Sequence, residues 1–215
     1  MENQVVCYFD DMPDLIHAGG LSDLWHESWK RHGWEPRVSN HTWLPDHPKH
    51  EIVANHVKGL PTVNPPHYEQ ACFLRWLPAQ TSRARMFVDM DTICNGWRPE
   101  HTEALNQEKF VSLIHNGNAA AAFMPSGFPV WEDILKYKPE HAVKEQGHPH
   151  CSDQEMFIWL TEHKREKYVR LDICKDYGDK GWDTAPMVHF STGAVHRYGG
   201  GRTKRAIIKE FLGMW

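Results

Sequence analysis

The 215-residue chain lacks the features of a membrane protein or of a general nucleic-acid binder. No apolar run approaches the roughly 20 residues of a membrane-spanning helix. The first residues, MENQVVCYFDD, show no basic segment followed by an apolar one, so no signal peptide is expected. A formal net charge of −4 disfavours broad binding to a nucleic-acid backbone, because proteins that bind in this way are usually basic. We therefore expect a protein without an integral membrane segment.

Paired cysteine motifs are also missing. The five cysteines are an odd number and are scattered without C-x-x-C spacing, which is typical of a reduced, cytoplasmic protein. Internal repeats, low-complexity tracts and linkers are absent as well. With 40% apolar and 24% charged residues, the composition is that of a globular protein with a substantial core. We expect a single domain over residues 1–215.

The hydrophobic pattern predicts strands that alternate with helices. The run from Gln4 to Phe9 predicts a first strand. Residues 21–32 follow helical spacing, with Ser22 as a cap and Gly33 placed to end the helix. Residues 36–39 form a plausible second strand. This β-α-β opening predicts an α/β fold with a mostly parallel central sheet flanked by helices.

The pattern continues along the rest of the chain. Residues 41–66 hold five prolines and predict a long loop with one helical turn, and residues 67–80 predict a helix that Pro78 closes. Ser152 and Glu155 form the capping box of a later helix, CSDQEMFIWLTEH. The remaining expected elements are strands at 85–88, 168–173 and 186–191, a strand or short buried segment at 118–127, and helices at 130–137 and 203–212.

Two acids, Asp89 and Asp91, follow the apolar run Met86–Val88 in the stretch FVDMD. Alternate side chains of a strand point the same way, so both carboxylates can reach one ion. Hard oxygen ligands suit Mg²⁺ or Mn²⁺, and ligands of α/β proteins bind at the carboxyl ends of the strands. The alternative is a pair of solvated acids that cap a turn.

FVDMD resembles the D-x-D motif of glycosyltransferases with the GT-A fold, which are single-domain, Rossmann-like enzymes that use nucleotide sugars. Other stretches resemble these enzymes in the same order along the chain. VVCYF with LWHESWKRHGWEP is similar to the first β-α-β unit, and CFLRWL to the helix before the D-x-D strand. HCSDQEMF is similar to the Asp-Gln motif of retaining families, and MVHFSTG to the late strand whose histidine completes the metal site.

This resemblance implies a role for each matching residue. Asp89, Asp91 and His189 would bind the metal, with Mn²⁺ favoured over Mg²⁺ because of the imidazole ligand. Asp153 and Gln154 would lie against the sugar and act in a retaining transfer. The other residues implied in donor binding are Phe9 and Asp10 at the base and ribose, Arg75, Gly193 and Arg197 near the diphosphate, and Asn118 at the sugar. The donor would be a UDP-sugar, with GDP as the alternative nucleotide.

The chain departs from the family pattern after the late histidine. The Lys-Pro-Trp that often follows is missing, so a basic role near the diphosphate would fall to His196, Arg197 or Arg202. The acceptor stays open between a saccharide, a protein, a small molecule and a modified nucleic-acid base. The oligomeric state is likewise open.

Three other classes compete with this interpretation. A phosphatase of the haloacid dehalogenase type also places D-x-D after an apolar strand, although usually after the first strand of the chain. A zinc-binding module would use His148, His150 and Cys151 with Cys174, but structural-zinc spacing is missing. A GT-A fold that binds a metal or nucleotide without catalysis is the third.

Overall fold

In the computed structural model, the described residues are 3–8, 19–40, 47–62, 64–81 and 84–214. They form one eight-stranded sheet with helices against both faces. The strands are β1 (Gln4–Tyr8), β2 (Glu35–Ser39), β3 (Met86–Val88), β4 (Thr92–Cys94), β5 (Phe110–Ile114), β6 (Ala121–Phe123), β7 (Tyr168–Asp176) and β8 (Met187–His189). The α-helices are α1 (Ser22–Arg31), α2 (His50–Lys58), α3 (Pro66–Leu74), α4 (Trp76–Thr81), α5 (Val130–Lys136), α6 (Pro139–Gln146), α7 (Asp153–His163), α8 (Thr192–Tyr198) and α9 (Lys204–Phe211).

The strands lie in the order β2-β1-β3-β6-β5-β7-β8-β4. The pairs β1/β2, β1/β3, β5/β7 and β7/β8 are parallel, and the other three are antiparallel. The mixed α/β architecture with a mostly parallel sheet, expected from the sequence, is therefore confirmed. None of the described helices is long and apolar enough to cross a membrane.

Strand β3 shows how the sheet divides the core. Met86 and Val88 pack in one cluster with α1 and α9, whereas Phe87 packs in the other cluster with α3, α4 and α7. This alternation is the period of two that a buried strand imposes. Asp89 continues it, so its side chain is directed to the same face as Phe87. That face carries the helices from which its partners come.

Two local predictions are wrong. The segment predicted as a loop with one helical turn contains the nine-residue helix α2, which buries Val53 and Val57 at i,i+4 spacing. The prolines of that segment flank the helix and do not interrupt it. Pro78 does not end a helix either, because it lies in the first turn of α4, where a missing backbone N–H costs nothing. The break between α3 and α4 falls instead at Arg75.

Several other predictions agree with the structure. Ser152 caps α7 by accepting a hydrogen bond from the amide of Glu155 at 3.2 Å. The predicted C-terminal helix is present as α9, and Thr203, which was not predicted as its cap, accepts a hydrogen bond from the amide of Ala206. Strands β4 and β5 and helices α6 and α8 were not among the expected elements. Phe9 and Asp10, the predicted base- and ribose-binding residues, lie outside the described residues.

Candidate functional site

The two acids of the D-x-D stretch lie on a tight turn at the carboxyl end of β3. The amide of Asp89 donates to the carbonyl of Ala120 at 2.8 Å, and the amide of Thr92 closes the turn on the carbonyl of Asp89 at 2.9 Å. Strand β4 begins at Thr92. Both carboxylates therefore project from the edge of the sheet where α/β proteins bind ligands.

His189 reaches this turn because β4 pairs with β8. Its register partner is Thr92, the residue after Asp91, and the amide of Phe190 bonds the carbonyl of Asp91 at 2.9 Å. His189 Nε2 lies 3.4 Å from Asp91 Oδ1. One ligand atom each from Asp89, Asp91 and His189 lies within 4.8 Å of the others. Two carboxylate oxygens and one imidazole nitrogen are a donor set that could hold a divalent metal ion.

Asp176 orients the imidazole of His189. The two residues are partners in the parallel pair β7/β8, and His189 Nδ1 lies 2.7 Å from Asp176 Oδ1. Burial alone would lower the pKa of His189, but the carboxylates of Asp91 and Asp176 outweigh burial and raise it to about 10. A carboxylate on one ring nitrogen that leaves the other directed at a metal position is a common arrangement of metal-binding histidines.

Lys204 contributes a cation that the sequence analysis missed. Its Nζ lies 2.6 Å from Asp91 Oδ2, and both side chains are 19% exposed. Burial would raise the pKa of Asp91, but His189 and Lys204 together hold that pKa below its usual range. Asp91 is therefore an ionised carboxylate with one oxygen facing His189 and the other facing Lys204.

Arg75 connects the D-x-D turn with the start of α7. Its Nη1 donates to Asp89 Oδ1 at 2.5 Å, and its Nε and Nη2 donate to Asp153 Oδ2 at 3.1 Å and 2.8 Å. Trp76 Nε1 donates to the same oxygen of Asp153 at 3.0 Å. Burial raises the pKa of Asp89, although the Arg75 guanidinium partly offsets this effect. Arg75 thus binds a predicted metal ligand and a predicted sugar-binding residue at once.

Asp153 and Gln154 occupy the first two positions of α7. Asp153 is 3% exposed and its carboxylate turns toward Arg75, whereas Gln154 is exposed. Asn118 is buried, and its Oδ1 accepts a hydrogen bond from the amide of Ala120 at 3.0 Å. Because the carbonyl of Ala120 binds the amide of Asp89, Asn118 supports the D-x-D turn through the backbone.

The other two predicted donor-binding residues lie on α8. Gly193 is exposed and follows Ser191, the cap of that helix. Arg197 is exposed and lies 5.6 Å from the ring centre of Tyr198. Within the described part of the chain, no hydrogen bond or ion pair joins either residue to Asp89, Asp91 or His189, the acidic cluster. Both assignments stay predictions.

An open cleft lies beside Asp89 at the ends of β1, β2 and β3. Its lining is largely apolar and includes the polar residues Tyr8, Ser39, Arg75 and Asp89. Ser39 is 2% exposed, and its hydroxyl has no hydrogen-bond partner among the described residues. The cleft therefore offers a ligand largely apolar walls and one buried hydroxyl, that of Ser39.

The residues that sequence reasoning missed differ in the signal they offer. Asp176 is the last residue of β7, but the predicted strand ended at residue 173, so the strand-end argument that selected Asp89 did not reach it. Trp76 directly follows Arg75 and carried no separate signal. Lys204 lies 113 residues from Asp91, and nothing in its spacing indicates the contact.

The zinc-module alternative finds no support in the geometry. Cys151 and Cys174 pack in separate core clusters against opposite faces of the sheet. Among the residues that the structure describes, three potential metal ligands lie close enough to share an ion, and these are Asp89, Asp91 and His189.

Solved structures of glycosyltransferases resemble this chain over most of its length. The galactosyltransferase LgtC, in complex with donor and acceptor sugar analogs, superposes with a TM-score of 0.58 at 10% identity over 98% of this chain and 95% of that chain. The apo form of mouse xyloside xylosyltransferase 1 gives 0.57 at 9% identity over 90% and 99%. The apo form of the glycosyltransferase GlyE of Streptococcus pneumoniae TIGR4 gives 0.54 at 14% identity over 98% of this chain and 60% of that chain.

Sequence comparison adds nothing to this likeness. No protein-family profile matches the sequence, and no curated protein matches it. At identities of 14% and below, the structural likeness shows a shared fold. The chain therefore has the GT-A fold of these glycosyltransferases, with Asp89, Asp91 and His189 gathered at the carboxyl edge of its sheet.

Proposed function

We propose that this protein is a metal-dependent glycosyltransferase that moves a sugar from a nucleotide-sugar donor to an acceptor. The observation that carries the proposal is the cluster of Asp89, Asp91 and His189 at the ligand-binding edge of a GT-A fold. A nucleotide sugar breaks between the sugar and the diphosphate, so negative charge grows on the departing diphosphate. Positive charge held at this edge stabilises the transition state.

Asp89, Asp91 and His189 are the residues that would hold a divalent ion. We propose Mn²⁺ in preference to Mg²⁺, because Mg²⁺ takes oxygen ligands almost exclusively and an imidazole suits Mn²⁺. The bound ion would supply a Lewis acid against the diphosphate oxygens. Asp176 would keep His189 Nε2 directed at this position through its hydrogen bond to Nδ1.

The cleft beside Asp89 is the proposed position of the nucleoside. Its apolar walls suit a planar base, and Ser39 offers a buried hydroxyl without a protein partner among the described residues. Tyr8, the last residue of β1, lines the same cleft just before the predicted base-binding residues Phe9 and Asp10. UDP is the proposed nucleotide by resemblance to the family, and GDP is the alternative.

Asp153 and Gln154 are proposed to face the sugar. Arg75 and Trp76 both donate to Oδ2 of Asp153 and fix the position of its carboxylate. The fixed carboxylate would accept hydrogen bonds from sugar hydroxyls without moving. Gln154 stands exposed beside it at the helix start, where it would lie near the anomeric carbon. This arrangement supports a retaining transfer. Asn118 would approach the sugar from the loop behind Asp89.

The wider proposal is a single GT-A domain over residues 1–215 in the cytoplasm, with the acceptor still to be identified. The five cysteines are free thiols, as expected in a reducing compartment. A haloacid-dehalogenase-type phosphatase is disfavoured, because its first Asp must act as a nucleophile. In this protein that position, Asp89, is bound by the Arg75 guanidinium, and β3 is the third strand of the chain.

Calorimetric titration tests the donor site. The purified protein is titrated with UDP and with GDP, each with and without Mn²⁺, and the titrations are repeated on Asp91→Asn. We expect micromolar binding of one nucleotide that requires both Mn²⁺ and Asp91. Asp183→Asn is the matched control, because Asp183 is exposed and lies outside the cluster.

Two outcomes would contradict the proposal. Folded protein that binds neither nucleotide in the presence of Mn²⁺ would exclude the donor site. Binding that is equal in wild type and Asp91→Asn would exclude the assigned metal ligand. Once a donor is found, NMR of the anomeric proton in the first product distinguishes retention from inversion.

A further inference from the structure

The carboxylate of Asp91 forms an ion pair with Lys204 of the same chain. Lys204 Nζ lies 2.6 Å from Asp91 Oδ2 and 3.4 Å from Thr192 Oγ1. Asp91 is also one of the three residues whose ligand atoms could share a divalent ion. An ammonium and a metal ion therefore compete for the same carboxylate, and their like charges repel each other at this separation.

Of the cations around the cluster, Lys204 is the one placed to move. Arg75 is fixed by hydrogen bonds to Asp89 and Asp153, and the ring of His189 is fixed by Asp176. Lys204 carries its charge on a flexible four-carbon stem, with one close carboxylate partner and a longer hydroxyl contact. Its ammonium can leave Asp91 without any change in the backbone.

The backbone around Lys204 supports such a movement of the side chain alone. Lys204 is the first residue of α9, and its cap Thr203 accepts from the amide of Ala206 at 3.2 Å. One turn further, Ile207 and Ile208 are buried in the core. The base of the stem is thus anchored, while the side chain, 19% exposed, ends at the open edge of the site.

We propose that Lys204 is a tethered cation that occupies Asp91 in the metal-free protein and transfers its ammonium to a donor phosphate oxygen when metal and nucleotide bind together. This inference rests on the proposed function. Metal binding without nucleotide places a second positive charge beside the carboxylate that Lys204 pairs with and so weakens that pair, whereas nucleotide binding gives the ammonium a new anion. Each ligand therefore strengthens the binding of the other, and the site resists loading with metal alone.

The test measures Mn²⁺ binding without any nucleotide, by electron paramagnetic resonance of free Mn²⁺, in wild type and Lys204→Met. Methionine keeps most of the apolar stem and removes the charge. We expect Lys204→Met to bind Mn²⁺ alone at least about 10-fold more tightly, because the internal competitor is gone, and to bind UDP with Mn²⁺ about 10-fold more weakly. Because the affinity for UDP without metal should stay the same, the factor by which UDP strengthens Mn²⁺ binding then falls about 10-fold.

Two further variants make the result specific. Lys209→Met, on the same helix and without a contact to the acidic cluster among the described residues, controls for a general loss of positive charge and should leave both affinities unchanged. Lys204→Gln keeps a hydrogen-bond donor without a charge and should behave like Lys204→Met. It also carries the test if the methionine variant fails to fold by circular dichroism.

The possible failures are separable. If wild type binds Mn²⁺ with UDP but the neutral Lys204 variants bind Mn²⁺ alone no more tightly than wild type, the tethered-cation inference is wrong and the proposed function stands. If neutral variants bind Mn²⁺ more tightly but keep the wild-type affinity for UDP with Mn²⁺, transfer of the ammonium to phosphate is wrong. If no variant binds Mn²⁺ with or without UDP or GDP, the inference and the proposed function fall together.

Discussion

The guanidinium of Arg75 neutralises two carboxylates that would otherwise be buried without a cationic partner. Its side chain is 14% exposed, and it binds Asp89 and Asp153, whose side chains are 19% and 4% exposed. Replacement by methionine keeps the stem that packs beside Trp76 and removes the charge. Arg75→Met therefore isolates the electrostatic contribution to the free energy of unfolding.

The expected loss follows from what remains after the substitution. Breaking a buried ion pair by removing one partner costs about 3–5 kcal/mol, since the other charge is left buried. Asp153 keeps its hydrogen bond from Trp76 Nε1, and Asp89 keeps some contact with solvent. We therefore expect a loss of about 3 kcal/mol, at the lower end of that range.

The assay is urea unfolding at neutral pH. A chelator is present, so that no metal ion compensates the carboxylates that lose Arg75. Arg165→Met is the matched control, because Arg165 is 71% exposed and pairs with Glu162 on the surface. An exposed pair of this kind is worth less than about 1 kcal/mol. Equal urea dependence of the unfolding free energy in all variants would show that the unfolded states are comparable.

A double-mutant cycle identifies the cause of the loss. Asp153→Asn removes one of the two stranded charges, so it should cost at least about 1.5 kcal/mol less in the Arg75→Met background than in wild type. A loss below about 1 kcal/mol in Arg75→Met would refute the view that Arg75 compensates buried charge. Additive effects in the cycle would show that Asp153 does not depend on Arg75.

Two further substitutions test features next to the site. Burial raises the pKa of Glu69 to about 7, so the stability linked to this carboxyl is present below its unfolded pKa near 4.5 and lost as pH rises through 7. Glu69→Gln keeps an oxygen that can accept from Asn64 Nδ2, which lies 2.5 Å from Glu69 Oε1. In urea unfolding, this variant should be about 2–3 kcal/mol more stable than wild type at pH 8.5 and no more stable near pH 4. Ser152→Ala removes the cap of α7 and should lower the free energy of unfolding by about 1 kcal/mol, whereas Ser152→Asp keeps a capping oxygen and should lose little. Equal stability of wild type and both variants would contradict a capping role.

The parts of the site that could be predicted depend on local signals. The apolar run before Asp89 marks a buried strand, and alternation then directs the acid to a defined face. Ser152 marks a helix start, which places Asp153 at its first position. Such signals extend over a few residues, because they arise from backbone periodicity and from hydrogen bonds within one turn.

The parts that could not be predicted depend on register and on long-range packing. Asp176 meets His189 only because β7 and β8 pair in parallel with these residues opposite each other. Lys204 reaches Asp91 only because α9 packs its buried isoleucines against the core that underlies β3. Neither the register nor the docking of a helix leaves a periodic trace in the sequence. The prolines around α2 led to the wrong prediction of a loop, because proline occurs at the ends of helices as well as in loops.

The charges of the site are compatible with the proposed divalent ion. The cluster contains four acids and three bases, which are Asp89, Asp91, Asp153, Asp176, Arg75, His189 and Lys204. Without a metal, the raised pKa of His189 leaves four carboxylates facing three cations; a metal-bound His189 must be neutral, and the four carboxylates then face two cations. The difference of two negative charges equals the charge of one divalent ion. A diphosphate would add negative charge without a partner, unless Lys204 leaves Asp91 and turns toward it.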